Sequence, residues 1–165
     1  MKLFTLLTLF AIATTSLTNV QADESVAQVQ KTEELNWVQD FEQAKQLAKE
    51  QSKPIFLYFT GSDWCPWCMR MDKEILSKTE FKDALGSKMI FVKADFPKKS
   101  ALAANIKKQN EELQSKFAVR GFPTVVILDQ DGNKIGTTGY QQGGPILFAA
   151  KVESILESAK KPAQQ

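Results

Sequence analysis

The stretch "IFLYFTGSDWCPWC", residues 55–68, joins two readings that together decide the fold. Ile55 to Thr60 is a continuous apolar and aromatic run between Pro54 and Gly61, the composition of a strand covered on both faces. After the turn come Cys65 and Cys68, the only two cysteines in 165 residues. A Cys-x-x-Cys at a strand-to-helix junction is an arrangement used for thiol–disulfide exchange. At the start of such a helix, unpaired backbone N–H groups and the helix dipole favour a thiolate. Cys65 holds that position and reads as the attacking nucleophile. Pro66 is tolerated beside it, because the first helical turn needs no N–H from it. Cys68, one turn further in, lies within disulfide reach, is better shielded and reads as the resolving thiol.

Other uses of the pair are less economical. A structural disulfide closing so short a loop contributes little chain-entropy stabilisation. Cys65 and Cys68 with Met69 or Met71 offer soft ligands for Cu(I), although methionines on a helix commonly serve packing. Two idle thiols are out of place in an oxidising compartment. The chain has no histidine. That removes Ser-His and Cys-His nucleophiles and, with two cysteines, a Cys/His zinc site, so no metal is expected.

The N-terminus indicates the compartment. Met1-Lys2 precedes an apolar run, Leu3 to Leu17, that is short and Thr-interrupted for a membrane span. Val20 and Ala22 supply the small residues of a signal-peptidase site, which predicts cleavage after Ala22 and a periplasmic or secreted protein. An uncleaved anchor is the alternative. Residues 23–35 read as a flexible leader, 36–160 as one domain and 161–165 as a tail. The formal net charge of +2 gives no support for nucleic acid or for a strongly acidic partner.

Asp40 predicts an N-cap, with Gln43 completing a capping box, ahead of a helix whose Phe41, Ala44, Leu47 and Ala48 share a face and which Pro54 ends. Helix is expected over 69–76, with another turn or two in "TEFKDALG". "MIFVKAD" (89–95) is a second buried strand, and 101–119 is helical with Leu102, Ile106, Leu113 and Phe117 on one face. "GFPTVVILDQDGNKIGTTGY" (121–140) is a hairpin turning at Asp131-Gly132, and Gly143-Gly144-Pro145 opens a last helix to about residue 160. The order is that of an α/β sandwich, parallel strands first and an antiparallel hairpin last.

"WCPWC" after a buried strand, with "VRGFPTVVIL" further on, resembles the thioredoxin superfamily from about Asn36 to Lys160. "FTGSDWC", "DFP", the Lys- and Gln-rich helical segment and "GFP" resemble its secreted, DsbH-type disulfide reductases. The resemblance implies an α/β fold, a thioredoxin-like three-layer α/β/α sandwich with a mixed central sheet. It implies that Pro123 is a cis-proline facing the cysteines and that Phe122 offers its backbone to an extended substrate. Trp64 and Trp67 form an apolar rim, core packing being the alternative for both. The strand before the motif departs from the family's common pattern, because "IFLYFT" has no carboxylate to shuttle the resolving thiol's proton. Tyr58 or Phe59 falls near that place. Lys93 matches a lysine neighbouring the buried acid of relatives, which leaves water or Lys93 to help deprotonate Cys68. Asp63, Asp72 and Glu74 are expected to be solvated.

The expected activity is reduction of disulfide-bonded protein substrates by a CPWC dithiol. Pro-Trp between the cysteines is neither the Gly-Pro of reducing thioredoxins nor the Pro-His of strongly oxidising relatives, and the missing histidine argues for a reducing or intermediate poise. A membrane electron donor is expected to restore the dithiol. No G-x-G-x-x-G fingerprint is present, so no cofactor is expected beyond the cysteine pair itself. A monomer is expected. The alternatives are an oxidase or isomerase of the same fold, or a Cu(I)- or partner-binding module.

Overall fold

The computed structural model describes residues 35–160. The signal peptide read over 1–22, nearly all of the leader over 23–35 and the tail over 161–165 lie outside the described residues. The elements are β1 (Trp37–Val38), α1 (Phe41–Gln51), β2 (Ile55–Thr60), α2 (Pro66–Met71), a π-helical turn (Asp72–Leu76), α3 (Thr79–Leu85), β3 (Ile90–Asp95), α4 (Ala104–Lys116), β4 (Thr124–Leu128), β5 (Lys134–Thr138) and α5 (Gly144–Lys160). The strands form one mixed sheet in the order β1-β3-β2-β4-β5, with β1 and β2 parallel to β3 and the β4–β5 hairpin antiparallel. This is the thioredoxin-like three-layer sandwich.

All six residues of β2 are buried, which explains its unbroken apolar composition. Its alternation divides the core in two. Ile55, Leu57 and Phe59 pack with Phe41, Ala44 and Ala48 of α1 and Leu113 of α4. Phe56 and Tyr58 point to the opposite layer, with Met71, Ile75, Phe81, Phe148 and Val152 from α2, the π-turn, α3 and α5. Phe56 centres an aromatic cluster, its ring 5.1 Å from Phe91, 5.8 Å from Phe81, 6.2 Å from Trp37 and 6.4 Å from Phe148.

Local chemistry sets most boundaries. Asp40 is the N-cap of α1, its Oδ1 accepting from the Gln43 N–H, while the Phe41 N–H donates to Gln109 Oε1 of α4. Ser52 ends α1 in the left-handed region at φ 52°. Gly132, at φ 86°, takes a conformation of the β4–β5 turn that suits glycine, and Asp129 accepts from the Asp131 and Asn133 N–H groups around it.

Two expectations need correction, and one element was not expected. The helix expected over 101–119 runs only from Ala104 to Lys116, so Leu102 precedes it, and Phe117 is its C-cap, followed by Ala118 at φ 53°. The helix expected from 69 starts at Pro66 and passes into the π-turn at Asp72. The two-residue β1 has no sequence signal of its own, since its pairing with β3 defines it.

Replacing Phe56 by Ala leaves a cavity among four rings and should lower stability by about 3–5 kcal/mol in urea unfolding, with the slope unchanged.

Candidate active site

The site lies where β2 ends. Cys65 is the N-cap of α2 in extended conformation (φ −91°, ψ 106°), and Pro66 occupies the first helical turn. The Cys65 and Trp64 N–H groups donate to the Gly61 carbonyl at 2.9 and 3.2 Å, closing the turn. Gly61 has a steric reason: a Cβ there would stand 2.5 Å from the Trp64 indole. Cys65 and Cys68 are joined as a disulfide with Cα atoms 5.2 Å apart, and the Cys68 N–H donates to Cys65 Sγ at 3.2 Å. That N–H is one of the groups able to stabilise negative charge on the first sulfur. Cys65 retains 4% of its surface and Cys68 none, so the pair is asymmetric in access.

The approach to Cys65 is fastened to the segment that leaves β3. Asp95 accepts from the Ser62 N–H at 3.0 Å and the Ser62 hydroxyl at 2.6 Å. Asp63 accepts from the Lys98 and Lys99 N–H groups at 2.9 and 2.7 Å, and these bonds, Lys98's first, hold its carboxyl below the usual range. Trp64 Nε1–H donates to the Phe96 carbonyl at 2.7 Å, and Lys98 Nζ stands 4.0 Å from the indole centroid. Asp63 is therefore a loop clamp as well as the solvent-facing charge expected.

Phe122 reaches the same place from the start of β4. Its ring stacks on Phe96 at 5.0 Å and meets Trp64 edge-on at 6.0 Å. The Phe122–Pro123 peptide bond is cis. Trp64 is half-buried in this contact, whereas Trp67 is 54% exposed. Trp67 lies against Tyr140 at 5.5 Å, with the Arg70 guanidinium 5.5 Å from one ring and 5.4 Å from the other. Glu74 accepts from Arg70 Nε at 2.8 Å and from the Tyr140 hydroxyl at 2.6 Å. These bonds, Tyr140's first, depress the Glu74 carboxyl, so this carboxylate, solvated as expected, also braces the two rings. Met71 is fully buried in the core, but Met69 is exposed rather than packed.

Beneath Cys68 lies a polar group that the sequence reading misplaced. Asp72 is half-buried, not solvated. Its N–H donates to the Cys68 carbonyl, and Tyr58 lies close enough to its carboxylate to favour ionisation. The Tyr58 hydroxyl also reaches the Cys68 carbonyl at 3.4 Å. Lys93 is the cross-strand partner of Tyr58, and its ammonium sits 4.9 Å from the Trp37 ring centroid. Burial raises the Asp72 carboxyl above its usual range, with Lys93 and Tyr58 opposing. Burial, then the adjacent Asp72 charge, pushes Tyr58 far above an ordinary phenol. The signal was available: Asp72 follows Cys68 by four residues and so shares its helix face.

A family model described as a thioredoxin-like domain matches residues 41–151. The chain belongs to the thioredoxin-like family. It is 37% identical over 123 residues to the disulfide bond reductase DsbH of Chlamydia pneumoniae, covering 74% of each chain. The solved structure of a DsbH oxidoreductase superposes with a TM-score of 0.73 at 35% identity, over 86% of this chain and 95% of that one. A stretch of 120 residues is 30% identical to the thiol:disulfide interchange protein DsbD of Pseudoalteromonas atlantica, covering 71% of this chain and 18% of that protein. With its Cys65–Cys68 pair, this thioredoxin-like chain is a disulfide oxidoreductase.

A raised Asp72 carboxyl sets the sign of a pH effect. Its ionised form costs folding stability above the folded-state pKa, and the cost vanishes as pH falls below the unfolded value near 3.9. Asp72→Asn should therefore raise Tm at pH 7 by about 2 °C, a small gain because the group is partly solvated. The gain should disappear as melts are repeated toward pH 4.

Proposed function

We propose that this protein reduces protein disulfides outside the cytoplasm. The observation that carries the reading is the position of the two sulfurs: Cys65 caps the helix and keeps 4% of its surface accessible, and Cys68, one turn in, has none. The reductase name of the 37% identical relative favours the reducing direction.

In the dithiol form, the Cys65 thiolate attacks one sulfur of a substrate disulfide. A Cys65–substrate bond forms, the substrate S–S bond breaks, and the departing sulfur takes a proton from solvent. Cys68 then gives up its proton and attacks Cys65 Sγ, forming the intramolecular disulfide and releasing the second substrate thiol. The substrate gains two electrons and the protein loses two. A dithiol donor reverses the change; a membrane electron relay suits an extracytoplasmic protein, and the similarity to part of DsbD is compatible with such a donor. Lys93 supports proton transfer at Cys68 from beside Tyr58.

The substrate lies against the rim as an extended segment. Phe122 offers its backbone beside Trp64, and cis-Pro123 shapes that edge. Trp67 and Tyr140, braced by Arg70 and Glu74, present a preset apolar surface to the residues flanking the substrate cysteine. The N-terminal signal sequence predicts export, and the working form is a monomer.

Three measurements test this. Equilibrated against a thiol/disulfide buffer, the pair should have a potential near the roughly −270 mV of thioredoxin; a value near the roughly −120 mV of DsbA would make the protein a disulfide donor. Cys65→Ser should abolish reduction of a disulfide-bonded protein, while Cys68→Ser should accumulate the mixed disulfide, visible on a non-reducing gel. Trp67→Ala should raise KM for a protein disulfide about tenfold with little change in potential, since about 1.4 kcal/mol of stacking corresponds to that factor.

A further inference from the structure

The loop that leaves β3 does more than clamp the cysteine turn. With α4 it encloses a cavity of about 340 Å³, lined by Phe96, Pro97, Ala101 and Leu102, with Lys107 and Glu111 on the helix side. That volume is at the lower end for binding pockets. Both walls are fastened. Asp63 holds the loop to the cysteine turn by accepting from the Lys98 and Lys99 N–H groups. Asn110, 1% exposed, donates to the Asp95 carbonyl at 2.9 Å and ties α4 to the end of β3. The opening is therefore part of the fold, and a group that enters does not have to order it first.

The groups inside are not engaged elsewhere. Leu102, expected on the face of α4, precedes that helix; it is partly buried and, among the described residues, belongs to neither core cluster. Lys107 and Glu111 stand four residues apart on one helix face. Among the described residues neither side chain has an ion pair or a hydrogen bond, while the next pair along, Lys108 and Glu112, closes at 2.9 Å. Phe96 connects the cavity to the cysteine rim. Its ring stacks on Phe122 at 5.0 Å, and Phe122 meets Trp64 at 6.0 Å. Phe96 thus stands within about 11 Å of Trp64, a distance that an extended chain crosses in three or four residues at roughly 3.3 Å each.

We propose that this cavity is a specificity subsite, which takes an apolar side chain of the substrate three or four residues from the cysteine under attack. The inference rests on the reduction of protein disulfides proposed above and adds what the substrate must carry. The extended segment that lies along Phe122 continues across Phe96, and its side chain enters between the loop and α4. There it takes the surfaces of Ala101 and Leu102 out of water. The stems of Lys107 and Glu111 flank that side chain. Their charged ends stay at the mouth, an ammonium to meet carbonyl groups of the segment and a carboxylate to meet its N–H groups. Trp67 and Tyr140 stand on other elements, so the cavity reads a different residue of the substrate from the one they meet.

The test separates the flanks of a substrate from its sulfur chemistry. The full chain carrying Cys68→Ser holds a mixed disulfide on Cys65 that cannot resolve. The reaction read is exchange of glutathione on Cys65 for a peptide thiol, in which one S–S and one S–H bond form as one of each breaks. The probes are short peptides with a central cysteine in an alanine and serine background, leucine being placed at one position at a time up to four residues on either side. Mass spectrometry of the acid-quenched mixture gives each exchange constant. Leucine three or four residues away, on one side of the cysteine, should raise the constant about fivefold or more over alanine at the same place. Ala101→Phe, which fills the cavity, should bring the favoured peptide back to the alanine value, and Leu102→Asp should do the same. Equal constants at all positions, a preference confined to the residues beside the cysteine, or one that survives Ala101→Phe would overturn the subsite. Failure of every peptide to exchange onto Cys65 would instead sink the proposed disulfide chemistry. A readout with the cavity intact covers the case of a misfolded variant. By NMR, the Ala101 and Leu102 methyl groups should shift in the adduct of the favoured peptide and not in that of the alanine peptide, and methyls that stay in place would refute the proposal. Methyls that move with protein concentration alone would assign the cavity to a second copy of the chain and overturn it equally.

Discussion

Burial of β2 on both faces is the constraint from which the rest of the molecule follows. Six consecutive residues have no solvent-facing side, so the strand must be central, flanked by β3 on one edge and β4 on the other. Its alternation then assigns Phe56 and Tyr58 to one helical layer and Ile55, Leu57 and Phe59 to the other. With the register set, Asp95 at the end of β3 and Thr124 at the start of β4 are drawn to the end of β2 where the cysteine turn begins. Three segments distant in sequence therefore meet at Cys65 because one strand could not be placed anywhere else.

That convergence explains why the turn carries so many polar side chains with assigned partners. Where the loop meets the segment leaving β3, backbone groups of each find side-chain acceptors on the other, in bonds that remain open to solvent. Asp95, Asp63 and the Trp64 indole supply them, joining residues 62–64 to 95–99 by direct hydrogen bonds. The stack of Phe96, Phe122 and Trp64 completes the joint with apolar contact. These contacts fix the turn that holds Cys65, with 4% of its surface accessible, ahead of the fully enclosed Cys68, the difference on which the proposed roles of the two sulfurs rest.

Charge around the site is divided by depth. At the surface, Glu74 is committed to Arg70 and Tyr140, and its pKa falls accordingly. Two residues earlier and partly enclosed, Asp72 has its pKa raised by burial. Two carboxylates separated by a single residue thus meet opposite environments, since the helix turns one toward the exposed aromatic platform and the other toward Tyr58 and Lys93. Sequence proximity says little about such a pair; the face of the helix decides.

Much of this was legible in the residues. The unbroken run at 55–60, the two cysteines with Pro66 between them and the turn chemistry of Asp40 and Gly132 are local statements about covering, capping and backbone freedom, and they determined the central strand, the reactive helix start and the sandwich class. Tertiary contact decided the rest. β1 exists only through its pairing with β3, and the start of α4 at Ala104 has no side-chain cap that would mark it. Asp63, Asp72 and Glu74 look alike in sequence as acidic residues near a turn. Their separation into clamp, buried acid and brace came from Lys98 and Lys99, from Tyr58 with Lys93, and from Arg70 with Tyr140. Many of those partners lie on elements far along the chain, and an ionisable group takes its character from what packs against it.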